Sequence, residues 1–160
     1  MNENLIHHNH LLIRMELIKF PIKKDIKFVK NLCKKIISLI NMKLLGKPNI
    51  YYLDEQIENE GITGTCSIET SHLSFHIWNS PEKEILQNKK SIGLLQFDIY
   101  TCGILTKEYI KIILKNLKIF IPTRINIDVL DRKKNLKIKY SEYWNDNGKI
   151  SFEKWINLKF

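Results

Sequence analysis

GITGTCSIETSHLSFHIW, residues 61–78, alternates apolar and polar side chains on both sides of the Thr70–Ser71 step. A period of two, in a stretch rich in Ile, Thr, Phe and Trp, predicts two strands that meet around Thr70 and Ser71. On the second of them Ser71, Leu73 and Phe75 share one face, and His72, Ser74 and His76 share the other. Taken alone, this is a half-polar edge strand whose His and Ser groups are hydrogen-bonded or solvated. A Ser-His-Asp hydrolase is disfavoured, because there is no GxSxG elbow and Asp98 is only one of several candidates for the third member.

Upstream, HLLIRMEL (residues 10–17) reads as a strand that Pro21 follows. From Asp25 to Leu45, the apolar residues Ile26, Val29, Leu32, Cys33, Ile36, Ile37 and Ile40 recur at helical spacing with Lys opposite, and Gly46 and Pro48 mark the expected stop. NIYYL (49–53) predicts a short strand and DEQIENEG (54–61) a loop. Downstream, a charged segment NSPEKEILQNKKS leads to a strand IGLLQFDIYTC, then to a helix TKEYIKIILKNLK capped by Thr106, then to a strand TRINIDVLD at 123–131. Residues 132–160 read as a C-terminal extension, a tail or a weak hairpin around Asp146-Asn147-Gly148.

Strands in hairpin-like succession with two helices among them predict an α+β fold, with one mainly antiparallel sheet that carries both helices on one face. The 160 residues are enough for one core, so a single domain is expected, with its core at about 8–131. IGLLQFDIY looks too apolar to face water on an uncovered sheet, which favours an oligomer.

The composition, 44% hydrophobic and 27% charged, is globular, and no apolar run approaches the roughly 20 residues that cross a bilayer. MNENLIHHNHLLIRMEL lacks the pattern of a secretory signal, so the cytoplasm is the expected compartment. Cys33, Cys66 and Cys102 follow no disulfide or zinc spacing. His7, His8 and His10 read as a solvated entry to the first strand rather than as metal ligands. The net charge of +9 would suit nucleic acid, but it is spread as Lys over helix faces and loops without an aromatic platform.

GITGTCSIETSHLSFHIW followed by FDIYTCG resembles the bacterial and archaeal pyruvoyl-dependent S-adenosylmethionine decarboxylases, in which GxSG, ESHxSxHTWPE and DxFTCG occur in this order. HLL at 10–12 is similar to that family's opening strand. The resemblance runs over about residues 8–130 and implies self-cleavage between Thr70 and Ser71, with Ser71 converted into a pyruvoyl group that serves as the cofactor. It further implies that His76 and Thr63 assist processing, that Cys102 protonates the substrate carbon, and that each protomer is a two-layer α/β sandwich, the processed subunits forming a homodimer with active sites near the interface. No metal is required.

Three departures from the family pattern fall at or near the site. Thr70 stands where Glu usually precedes the cleaved serine. HTWPE becomes HIWNSPE, so that Glu82 is the carboxylate left to bind ribose hydroxyls. Ile57 stands where an aromatic residue would stack on adenine, which leaves Trp78 or Tyr52 for that contact. The expected activity is decarboxylation of S-adenosylmethionine for spermidine synthesis. Alternatives are an arginine or ornithine decarboxylase of the same family, an unprocessed regulatory partner, and a basic nucleic-acid-binding domain.

Overall fold

The computed structural model describes residues 7–133 and 135–160. Its strands are β1 (Asn9–Leu17), β2 (Asn49–Leu53), β3 (Gly61–Ile68), β4 (Ser71–Trp78), β5 (Gly93–Thr101), β6 (Pro122–Asp131) and β7 (Lys137–Asn145). They form one sheet in the order β2-β3-β4-β5-β1-β6-β7, with every neighbouring pair antiparallel. The helices are α1 (Ile26–Leu39), α2 (Lys107–Leu117) and α3 (Phe152–Lys159). This is the expected α+β sandwich, and the first strand in sequence lies near the middle of the sheet.

Alternation sets the two faces. Leu11, Ile13, Met15 and Leu17 of β1 point to the helices, as do Leu73, Phe75 and Ile77 of β4 and Leu95, Phe97 and Ile99 of β5, and all are buried. Helix α1 meets them with Val29, Cys33, Ile36 and Ile37, and α2 with Ile110, Ile113, Leu114 and Leu117. Each such aliphatic side chain contributes about 1.5–3 kcal/mol by leaving water. Gly64 permits the close approach of β3 to this core, since a Cβ there would meet the Phe75 ring at 2.6 Å.

The other face is polar. Gln96, Asp98 and Tyr100 occupy the positions of β5 that alternate with its apolar ones, beside Arg14 and His10 of β1 and His72, Ser74 and His76 of β4. The apolarity of IGLLQFDIY is therefore spent under the helices, and that ground for expecting an oligomer falls away.

Two elements differ from the sequence expectation. Helix α1 ends at Leu39, not Leu45, because Asn41 takes φ +55° and closes the helix. The Asn41 amide donates to Ser38 O at 3.1 Å and the Met42 amide to Ile37 O at 3.0 Å, a Schellman motif in which Asn does the work of glycine. Residues 137–160 form neither a tail nor a hairpin around Asp146–Gly148. β7 pairs along β6, and the turn at Asp146–Gly148 leads into α3, capped by the Ser151 hydroxyl on the Lys154 amide. Trp144 of β7 faces Phe152 and Trp155 of α3, all buried, so this segment extends both sheet and helix layer.

Candidate active site

At the tip of the β3–β4 hairpin, Glu69 and Thr70 form the turn and Ser71 opens β4 with φ +147°. An L-residue held in this region stores about 1–3 kcal/mol of strain. Alternation ranks Ser71 with Ile68 and Thr101, yet its hydroxyl lies 3.1 Å from Nδ1 of His72.

The end of β5 runs alongside this turn. The backbone N–H of Cys102 donates to the carbonyl of Thr70 at 3.0 Å. The Thr101 hydroxyl donates to Oγ1 of Thr70 at 2.9 Å and accepts from the Gly103 amide at 2.9 Å. Gly103 allows that fit, because a Cβ would press on Thr101 Oγ1 at 3.2 Å and Thr70 Cγ2 at 3.3 Å. The three letters TCG thus supply a buttress, a thiol and room for both.

The Cys102 thiol is half-buried, 3.8 Å from Nδ1 of His8 and 4.0 Å from the Tyr100 hydroxyl, which themselves lie 3.0 Å apart. Burial and the neighbouring thiol raise the Tyr100 phenol above its ordinary value, so it stays protonated at neutral pH. The Arg132 guanidinium stacks over the same ring, 4.2 Å from its centre.

A second group lies further down the sheet. Thr63 and His76 face each other across β3 and β4. The His76 ring packs on Trp78 with centroids 4.0 Å apart, while the Trp78 indole donates to Asn59 at 3.0 Å. Burial holds the His76 imidazole below its ordinary value against a small opposing effect of the Asn59 backbone, so it is neutral at physiological pH. Its Nε2 is buried without a partner among the described residues. His76 is five residues along β4 from Ser71, about 16 Å at 3.2–3.4 Å per residue. The two groups, Thr70, Ser71 and Cys102 on one hand and Thr63 and His76 on the other, therefore lie apart on the same sheet.

An open cavity of about 570 Å³ on this face is lined by Arg14, Thr63, Ser74, His76, Asp98 and Asn126 among others. Tyr52 does not join it. Its register with Ile62 sets it on the helix side of the sheet, where its hydroxyl donates to Glu60 and accepts from Asn79 at 3.0 Å. Burial and Glu60 push that phenol up to about 12. Glu82 is exposed on the 79–92 segment, whose Ile85 carbonyl accepts from the Arg14 guanidinium of the open face. Sequence reasoning missed what anchors this segment. Glu16, fully buried, accepts from the amides of Gln87 and Asn88, from Ser91 and from Arg14. Its one sequence signal is a carboxylate inside an otherwise apolar strand end. Among the described residues no cluster of three or more His, Cys, Asp or Glu side chains could hold a metal ion, and no helix is long and apolar enough to cross a membrane.

The site thus combines a one-sided antiparallel sheet, a strained serine at a hairpin tip and a cysteine whose backbone amide bonds the preceding carbonyl. The S-adenosylmethionine decarboxylase family model matches residues 9–133, and the chain belongs to that family. No curated protein sequence matches the chain. Among solved structures, a phage SAM lyase in complex with S-methyl-5'-thioadenosine is similar over 91% of this chain and 95% of that one, with 10% identity and a TM-score of 0.39.

Proposed function

We propose that the protein decarboxylates S-adenosylmethionine to an aminopropyl donor for spermidine synthesis, after cutting itself between Thr70 and Ser71. The observation that carries this reading is the 3.0 Å hydrogen bond from the Cys102 amide to the Thr70 carbonyl, beside a strained Ser71. That bond polarises the carbonyl the serine must attack and is aimed where an oxyanion would form. Breaking the Thr70–Ser71 peptide bond would also release the strain at Ser71. The attack moves the Thr70 acyl group from the Ser71 nitrogen to its oxygen. Elimination then breaks the Cβ–O bond and frees Thr70 as a carboxylate, and addition of water with loss of ammonia leaves a pyruvoyl group at position 71.

The residues at the hairpin tip fit such a group, because Cys102, whose amide bonds the Thr70 carbonyl, stands one strand away from Ser71. Once formed, the group supplies a carbonyl that condenses with an amine and accepts electrons as carbon dioxide leaves. Cys102 returns a proton to the substrate carbon, and the adjacent Tyr100 and His8 can resupply its thiol.

One subunit does not complete this machinery, because Thr63 and His76 lie too far from Ser71. In a homodimer with open faces opposed and a two-fold axis crossing the strands near Ser74, each half-site meets its complement, twice over. Thr63 and His76 of the partner subunit then stand opposite Ser71, where a neutral imidazole can take the Cα proton during elimination. Trp78, packed on His76, offers a face to the adenine, and Glu82 is free for the ribose hydroxyls.

Denaturing intact-mass spectrometry tests the reading. Two fragments parting at 70/71, the second reactive to a carbonyl reagent, are expected, together with carbon dioxide from carboxyl-labelled S-adenosylmethionine. Release from labelled arginine or ornithine instead would reassign the substrate. A whole chain that co-purifies with an active subunit would make it a regulatory partner, and a whole chain that binds nucleic acid with steep salt dependence would make it a binding domain.

A further inference from the structure

Asp98 is the hub of a side-chain cluster beside Ser71. Its Oδ2 accepts from Nε2 of His10 at 3.0 Å and lies 3.7 Å from Nε2 of His72. Its Oδ1 accepts from the Ser74 hydroxyl. Arg132 in turn donates to Nδ1 of His10 at 3.5 Å, which makes Nε2 the protonated nitrogen of that ring. Strand register builds the cluster. His72, Tyr100 and His10 form one rank across β4, β5 and β1, and Ser74 and Asp98 stand in the next.

The Asp98 carboxylate, too far from Nε2 of His72 at 3.7 Å for a direct hydrogen bond, favours by charge alone the tautomer with its proton on that nitrogen and the Nδ1 lone pair free. That lone pair lies 3.1 Å from the Ser71 hydroxyl. Serine, imidazole and carboxylate therefore stand in sequence within one subunit, where His76 cannot reach.

We propose that His72 is the general base of the acyl shift at Ser71, with Asp98 as its positioning residue. The proposal rests on the self-cleavage reading and assigns that step to the subunit's own side chains. As the Oγ–C bond to Thr70 forms, the hydroxyl proton passes to Nδ1 and the carbonyl electron pair moves to oxygen, held by the Cys102 amide. The tetrahedral centre then collapses, the Thr70 C–N bond breaks, and Nδ1 returns the proton to the Ser71 amine. The product is an ester isomeric with the starting chain, so no co-reactant is needed. His76 of the partner subunit acts afterwards, on the Cα proton.

The test follows chain splitting after cell-free synthesis, with a hydroxylamine pulse that cuts any ester. His72 is 46% exposed at its side chain, so its removal spares the core. His72→Ala is expected to slow splitting at least about 100-fold, to accumulate no hydroxylamine-labile ester, and to be partly rescued by free imidazole, which a folding defect would not be. Asp98→Asn is expected to slow the wild-type chain and to add nothing in the His72→Ala background. His76→Ala is expected to stall later and accumulate the labile ester. A His72→Ala chain that splits at the wild-type rate, or that accumulates ester, overturns the assignment while leaving self-cleavage standing. A wild-type chain that stays whole overturns both.

Discussion

The backbone N–H of Cys102 and the carbonyl of Thr70 are joined by a 3.0 Å hydrogen bond between the end of one strand and the hairpin beside it. Because the contact belongs to the main chain, it survives changes to the Cys102 side chain. Cys102→Ala is therefore expected to split normally and to lose at least about 100-fold in decarboxylation, as befits removal of a general acid. Quantifying fragments by mass alongside labelled carbon dioxide separates the two effects. Unchanged turnover would remove Cys102 from the chemistry.

Strain at Ser71 has its own readout. Ser71→Ala and Ser71→Gly should both leave the chain whole, since neither has a hydroxyl. Glycine accepts φ +147° freely and alanine does not, so the glycine variant should be about 1–3 kcal/mol more stable. Thermal denaturation of the two uncleaved chains measures the difference, and coincident transitions would mean the backbone there is relaxed.

Mixed dimers test the division into half-sites. Chains carrying Ser71→Ala and His76→Ala should each be inactive alone. Co-expressed with distinguishable tags, they should restore splitting of the His76→Ala chain, whose Ser71 would meet an intact His76 from the other subunit. Splitting confined to wild-type homodimers would mean that the two half-sites do not cooperate across an interface.

Glu16 makes the fold sensitive to acid. Burial alone would raise its carboxyl, but hydrogen bonds from Arg14 and the Asn88 and Gln87 amides outweigh it and hold the group below its ordinary 4.5. A carboxyl lowered in the folded state adds stability that is present above its unfolded value and is lost as pH falls through the folded one. Wild-type stability should therefore drop as pH falls below about 4.5, whereas Glu16→Gln should be flatter there and about 1–3 kcal/mol weaker near neutrality. Denaturation across that range, with hydrogen exchange at Gln87 and Asn88, checks both. Equal exchange in the two proteins would release Glu16 from anchoring the 79–92 segment.

Several local features were legible before any coordinates. Alternation located β3, β4 and β5, and helical spacing with Thr106 located α2. The order of GITG, TSHLSFH and YTCG marked the family. The end of α1 was misread because Asn41, rather than the glycine five residues on, takes the left-handed turn. β7 and α3 were missed because KIKYSEYWN is half-exposed at the sheet edge and looks polar until Trp144 finds Phe152 and Trp155.

The site divided in the same way. Periodicity alone determined that Leu73 and Phe75 would share one face and His72, Ser74 and His76 the other, because side-chain direction in a strand is a local property. Strand order decided the rest. Asp98 meets His10 across 88 positions of sequence, and the Cys102 amide meets Thr70, only because β5 lies between β4 and β1. Pairing of that kind depends on which edges the whole core brings together, and no local period records it.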